Sequence, residues 1–110
     1  MTQADLQLLR AAGSEIDVPA GLLLMERGQP AAGLFVILEG SVVVEKAGGR
    51  HERGPGSVVG ERGLVAADGR RGARVRTASD VRVLAVGRSE FDRLAAADAS
   101  LVERLIDPAS

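Results

Sequence analysis

The spacing of hydrophobic positions changes character twice along the chain. Near the start, Leu6, Leu9 and Ala12 recur at three-residue intervals, which predicts a helical face. Thr2 stands in front as an N-cap, with Asp5 three residues on as its capping-box partner, and the helix is expected to end at Gly13. From Glu15 to Gly87 the period shortens. "EIDV" alternates, with Ile16 and Val18 on one side, and "LLLM", "LFVILEG", "SVVVEKAGG", "ARVRT" and "VRVLAV" are apolar or alternating runs broken by glycine and proline. "PAG", "ERGQPAAG", "GGRHERG" and "RGPGS" are turns in this reading. Helical spacing then returns. Ser89 is expected to cap "EFDRLAAAD", and Ser100 with Glu103 to form a capping box for the short "LVERLI", which Pro108 stops. Many short strands between helical ends predict a mainly β fold, a jelly-roll barrel or sandwich with flanking N- and C-terminal helices. Met25, Phe35 and Phe91 are expected in the core, and Gly28 and Gly40 in turns.

Composition removes several classes of function. At 110 residues the chain suffices for a single domain, expected over 1–110, and 45% hydrophobic content supports a packed core. A net charge of −1 argues against nucleic acid as a partner, and without Trp or Tyr there is no platform for stacked bases. Cysteine is absent, which excludes disulfides and thiolate metal sites; one histidine, His51, cannot build a multi-histidine metal centre. His51 is expected at the surface, in a polar turn. The lack of disulfides points to a reducing cytoplasm, and no long apolar run predicts a signal peptide or membrane span. No nucleophile–base set is apparent, so no catalytic residue, metal or cofactor is expected.

The segment "GERGLVAADGRRGARV", Gly60 to Val75, carries the most chemistry. Gly60 and Gly63 permit unusual dihedrals or close approach of a ligand, and backbone N–H groups at a helix start favour an anion. Glu61 offers acceptors suited to hydroxyl donors such as a ribose. At the far end, strand parity puts Arg71 with Ala73, Val75 and Thr77 on the inner face, while Arg70, Arg74 and Arg76 face solvent. An inward arginine needs an anion. That anion is either a bound phosphate, which suits a planar guanidinium, or Glu61 itself in a structural salt bridge.

These residues resemble the phosphate-binding cassette of the cyclic nucleotide-binding domains found in catabolite-activator-type regulators, kinase regulatory subunits and gated channels. The cassette has the form G-E-x-[AG]-L, a loop, then R-[STA]-A-x-V. Gly60, Glu61, Gly63 and Leu64 fill its first half, and Arg71, Ala73 and Val75 its second. Upstream, "ERGQPAAGLFVILEGSVVV" is similar to the family's turn-and-strand pattern, with Gln29 in place of the usual acid. Downstream, "VRVLAVGRSEFDRL" is similar to its last strand and second helix.

The resemblance implies a jelly roll and a regulatory sensor that binds a cyclic purine mononucleotide, expected to be cyclic AMP. Glu61 would accept from the ribose 2′-hydroxyl beside the Gly60 backbone, and Arg71 would pair with the cyclic phosphate. Backbone N–H groups near Gly63 and Leu64, and near Gly72 and Ala73, would complete the cradle. Leu64 would sit where the hinge helix packs, and the C-terminal helices would carry the signal to an effector domain or protein partner. Gly72 departs from the family in lacking a hydroxyl that can reach phosphate or guanine, and Arg62 stands at a variable, often apolar position. The lid helix is expected to be truncated or short, in a freestanding domain or a fragment of a longer protein. The alternative is a ligand-free scaffold of the same fold with a structural Glu61–Arg71 pair. A cupin-like metalloenzyme lacks its histidine cluster here.

Overall fold

The computed structural model describes residues 1–105; the expected stop at Pro108 lies outside them. Helix α1 (Gln3–Ala12) opens the chain, capped as expected by reciprocal bonds between Thr2 and Asp5. Eight strands follow: β1 (Ser14–Val18), β2 (Leu23–Met25), β3 (Gly33–Glu39), β4 (Val42–Lys46), β5 (Gly49–Arg53), β6 (Val58–Val59), β7 (Arg74–Thr77) and β8 (Val81–Gly87). A short helix, α2 (Glu61–Val65), interrupts them between β6 and β7; α3 (Arg88–Ala97) and α4 (Leu101–Leu105) close the described chain. The strands form two four-stranded sheets, ordered β1-β8-β3-β6 and β2-β7-β4-β5, with antiparallel pairing throughout. This is the jelly-roll architecture with flanking helices that the sequence predicts.

The long apolar runs of β3 and β8 have a simple cause: their sheet is covered on both faces. Leu34 and Val36 of β3, with Leu84 and Val86 of β8, point to a helical layer containing Leu9, Leu64, Phe91, Leu101 and Leu105. The alternate residues Phe35, Ile37, Val81 and Val83 point to the other sheet, where Met25, Val42, Val44 and Val75 meet them. Met25 and Phe91 are buried as expected, Phe35 is half-buried against the inter-sheet core, and Gly28 and Gly40 sit in turns at positive φ.

Two expectations need correction. "GRHER" is a strand, not a turn: β5 pairs with β4 from Val42↔Arg53 to Lys46↔Gly49, leaving Ala47 and Gly48 as a two-residue hairpin loop. Its polar composition is that of an edge strand lining a hollow instead of a packed core. Ser89 does not cap α3. The helix starts two residues earlier with Gly87 at its N-cap, because β8 runs directly into it and the Arg88 N–H donates to the Ala32 carbonyl at 2.8 Å. Ile16 and Val18 lie in a strand as expected; β1 is an edge strand too, and Ile16 is 46% exposed.

Candidate functional site

The two halves of the Gly60–Val75 segment come together because the 28–31 turn pins the second half in place. The Gly28 N–H donates to the Arg71 carbonyl at 2.9 Å, the Arg71 N–H to the Gln29 carbonyl at 2.8 Å, and the Ala31 N–H to the Gly69 carbonyl at 2.8 Å. A Pro30↔Arg70 bridge lies among these bonds. Strand β7 then starts in register, and parity acts as the sequence predicts. Arg71 is 8% exposed and Val75 and Thr77 are buried, whereas Arg70, Arg74 and Arg76 face solvent. Arg70 spends its guanidinium on the Gly28 carbonyl, at 2.8 Å in an exposed setting.

The first half is built by two close approaches. Gly60 is the N-cap of α2 at φ 91°, and a Cβ there would run into the Arg71 guanidinium. Gly63 faces Ala31, whose Cβ would lie 2.9 Å from an added methyl. Glu61, the first residue of α2, is 3% exposed, and Leu64 is buried in the helical layer.

Arg71 is the buried cation of the site. Its Nη1 donates to the carbonyl oxygens of Gly33, at 2.6 Å, and of Gly60, at 3.1 Å. Its pKa lies below the ordinary arginine value, first because burial penalises the charge, then because the Arg88 guanidinium repels it; the Glu61 carboxylate acts in the opposite direction and is outweighed. Two neutral carbonyls thus accept from this buried cation, and the Glu61 carboxylate is the one group acting to raise its pKa.

Arg71 lines a cavity of about 280 Å³, close to the lower end of the ~300–1,000 Å³ range of small-molecule clefts. Gly60, Glu61, Gly63, Gly72 and Ala73 line it as well, so six of the seven residues singled out from the sequence meet there; Leu64 points to the helices instead. Gly72 is exposed, with no atom within 4 Å of where a Cβ would stand. The remaining wall comes from residues not singled out as site residues: Met25, Val44, Lys46, His51, Arg53, Val58, Val59 and Arg62. His51 is half-buried, contrary to the surface position expected of it, because β5 alternates and carries His51 and Arg53 on the inner face while Arg50 and Glu52 face out. Four cationic side chains and one carboxylate line the cavity of a protein whose net charge is −1.

Comparison with known proteins accords with this geometry. The cyclic nucleotide-binding domain model matches residues 15–98. The chain belongs to the cyclic nucleotide-binding domain family. It is 30% identical over 100 residues to a cyclic nucleotide-gated potassium channel of Rhizobium etli, a match covering 91% of this chain and 28% of the channel. It thus spans little more than a quarter of that relative's length. Among solved structures it resembles a protein of a cyclic-GMP-dependent signalling pathway that regulates bacterial phytopathogenesis, with a TM-score of 0.82 and 28% identity over 96% of this chain and 87% of that one. The catabolite activator protein of Thermus thermophilus shares the fold at a TM-score of 0.76 and 22% identity, covering 96% of this chain and 51% of its own.

Proposed function

We propose that this domain is a non-catalytic sensor that binds a cyclic purine mononucleotide through Gly60, Glu61, Gly63, Arg71, Gly72 and Ala73. One observation carries the reading: Arg71 is buried at the wall of a cavity lined by three further cationic side chains and one carboxylate. A cyclic phosphate supplies an anion there, and a planar guanidinium is suited to it. Glu61, buried at the same wall, is an acceptor for a ribose hydroxyl. The reading assigns the domain no bond-making step and needs no cofactor.

The expectation of cyclic AMP rested on Gly72, which removes one contact to guanine. That is a weak criterion, because it leaves the choice of base to the rest of the wall. The scaffold alternative asks Glu61, the one carboxylate of the cavity wall, to compensate Arg71 where Lys46, Arg53 and Arg62 also line the cavity. Calorimetric titration with cyclic AMP and with cyclic GMP tests the proposal. Heat of binding with at least one is expected; no heat with either, at protein concentrations far above micromolar, would return the domain to the scaffold reading. Cytoplasmic placement and an effector coupled through α3 and α4 belong to the same proposal. No helix among the described residues is long and apolar enough to cross a membrane.

A further inference from the structure

Three consecutive carbonyls join the cassette arginine to the start of α3. The Ala31 carbonyl accepts from Arg88 Nε at 3.1 Å, the Ala32 carbonyl from the Arg88 N–H at 2.8 Å, and the Gly33 carbonyl from Arg71 Nη1 at 2.6 Å. The same segment grips the cassette loop through the Ala31 N–H, which donates to the Gly69 carbonyl at 2.8 Å. Its far end is pressed on the β8–α3 junction: a Cβ on Gly33 would run into the Val86 carbonyl oxygen and lie 3.1 Å from the Gly87 Cα. Arg88 is half-buried, and among the described residues its guanidinium makes that one hydrogen bond and no ion pair. It does not line the cavity. A partly buried cation on one neutral acceptor adds little stability of its own, so the effect of the bond lies in what it holds.

We infer that Arg88 is a positioning residue for nucleotide binding: by fixing the 31–33 carbonyls it keeps the Arg71 guanidinium in its binding orientation. This rests on the sensor reading above, in which Arg71 meets the phosphate. Arg71 Nη1 is shared between the Gly33 and Gly60 carbonyls, so a shift of Gly33 turns the guanidinium plane. Planar recognition of a phosphate depends on that plane. A Gly33 carbonyl held from behind keeps the fork aimed before the ligand arrives. A loose one lets a long side chain sample other rotamers, and binding must then order it. The two guanidinia also sense each other across the segment: the Arg71 pKa is lowered first by burial and then by the Arg88 charge.

The test uses the whole chain and two readouts. Arg88→Met removes the charge and the Nε donor but keeps an apolar stem, and Arg88→Lys keeps the charge. Arg88→Gln is a second neutral change should melting curves show that Arg88→Met does not fold. In the free protein, NMR of the guanidinium groups reports Arg71 directly. Arg88→Met is expected to shift and broaden the Arg71 signal and to leave that of Arg70 in place. In calorimetric titration with cyclic AMP and cyclic GMP, Arg88→Met is expected to weaken binding of both by about 2- to 12-fold, the effect of having to order one long side chain. Arg88→Lys should fall between it and wild type. In an Arg71→Lys background there is no guanidinium to aim, so adding Arg88→Met should weaken binding no further. A merely structural Arg88 would lower affinity equally in both backgrounds. An unchanged Arg71 signal, wild-type affinity in Arg88→Met, or an additive loss in the Arg71→Lys background each overturns this inference alone. No heat of binding from the wild type with either nucleotide overturns the sensor reading and this inference with it.

Discussion

Replacing Arg71 and Arg70 one at a time separates a sensor from a scaffold. The two residues are adjacent in sequence and opposite in environment: Arg71 is 8% exposed and lines the cavity, whereas Arg70 is exposed and bonded to the Gly28 carbonyl. Salt screens a buried charge little, and truncating one member of a buried, hydrogen-bonded charge pair costs about 2–5 kcal/mol. At about 1.4 kcal/mol per factor of ten, Arg71→Ala is expected to weaken cyclic nucleotide binding by roughly 30- to 5,000-fold. Nη1 already serves the Gly33 and Gly60 carbonyls, which leaves the Nε–Nη2 edge as the bidentate face toward phosphate. Arg71→Lys keeps the charge and loses the fork, so it should fall between wild type and alanine. Arg70→Ala should change affinity by less than about threefold, since an exposed charge contributes only a screened term. Without ligand, Arg71→Ala loses two hydrogen bonds but relieves an unfavourable burial. These oppose one another, so the melting temperature should move less than the binding loss alone suggests. Titration calorimetry and thermal melts on the three variants measure all of this. In the scaffold reading Arg71→Ala leaves Glu61 uncompensated and lowers the melting temperature, and adding Glu61→Gln recovers part of it. If Arg70→Ala abolished binding while Arg71→Ala did not, the orientation of this loop would be wrong.

Three further expectations follow from single positions. Gly60→Ala places a methyl against the Arg71 guanidinium at a φ of 91°, so it should lower both melting temperature and affinity; an unchanged titration curve would refute the contact. Gly72→Ser adds a hydroxyl into open space and should raise cyclic nucleotide affinity by about tenfold with an unchanged melt, the value of a charged hydrogen bond at its lower end; no gain would mean that this position does not reach the phosphate. Asp5 has its pKa lowered to about 2, chiefly by its hydrogen bond from Arg104 and then by the Thr2 N–H. Its folded pKa lies below its unfolded one, so its stabilisation is present above about pH 4 and is lost as pH falls toward about 2. Asp5→Asn should therefore destabilise the protein by about 1.5–3 kcal/mol at pH 7 and flatten this acid limb in denaturant titrations. An acid limb as steep as that of wild type would exclude Asp5 as its source.

The fold was legible where one face of an element is dry. β3 and β8 are covered on both sides, so "LFVIL" and "VRVLAV" announce themselves as apolar runs, and the cassette arginine was placed by parity alone because Ala73, Val75 and Thr77 fix the inner face of β7. The same rule failed on β5 for a physical reason. A strand whose inner face lines a hollow has no need of apolar residues, so Gly49, His51 and Arg53 carry none of the pattern that marks a strand. The available signal was the hairpin: "VVVEK" and "GRHER" flank a two-residue Ala47–Gly48 loop, and reflecting Val42, Val44 and Lys46 across it puts His51 and Arg53 on the cavity side. Ligand sites are where hydrophobic patterning is least informative, since they are left unfilled by the core.

The arrangement also explains how a small ligand can move a larger surface in the sensor reading. Glu61 and Leu64 lie on the same five-residue helix, one lining the cavity and the other in the core cluster that also contains Leu34 and Val36 of β3 and Phe91, Leu101 and Leu105 of the helices. Closing the cassette on a phosphate cannot shift α2 without disturbing that packing, because interiors are too dense to absorb displacement locally. α4 is in turn fastened to α1. The Arg104 guanidinium bonds the Asp5 carboxylate at 3.0 Å and the Asp98 carboxylate at 2.5 Å, joining the first helix to the last described one. Asp5 is itself the capping-box residue of α1, so the fastening acts on a helix end already held in shape. A displacement that begins at Leu64 therefore reaches α1 and α4 as a unit, and hydrogen exchange of α1 amides is its readout. Saturating ligand should alter protection in α1 of the wild type, and the Arg104→Ala protein should lose that response while keeping its affinity for the nucleotide. Retention of the α1 response in Arg104→Ala would place the coupling in the apolar contacts alone.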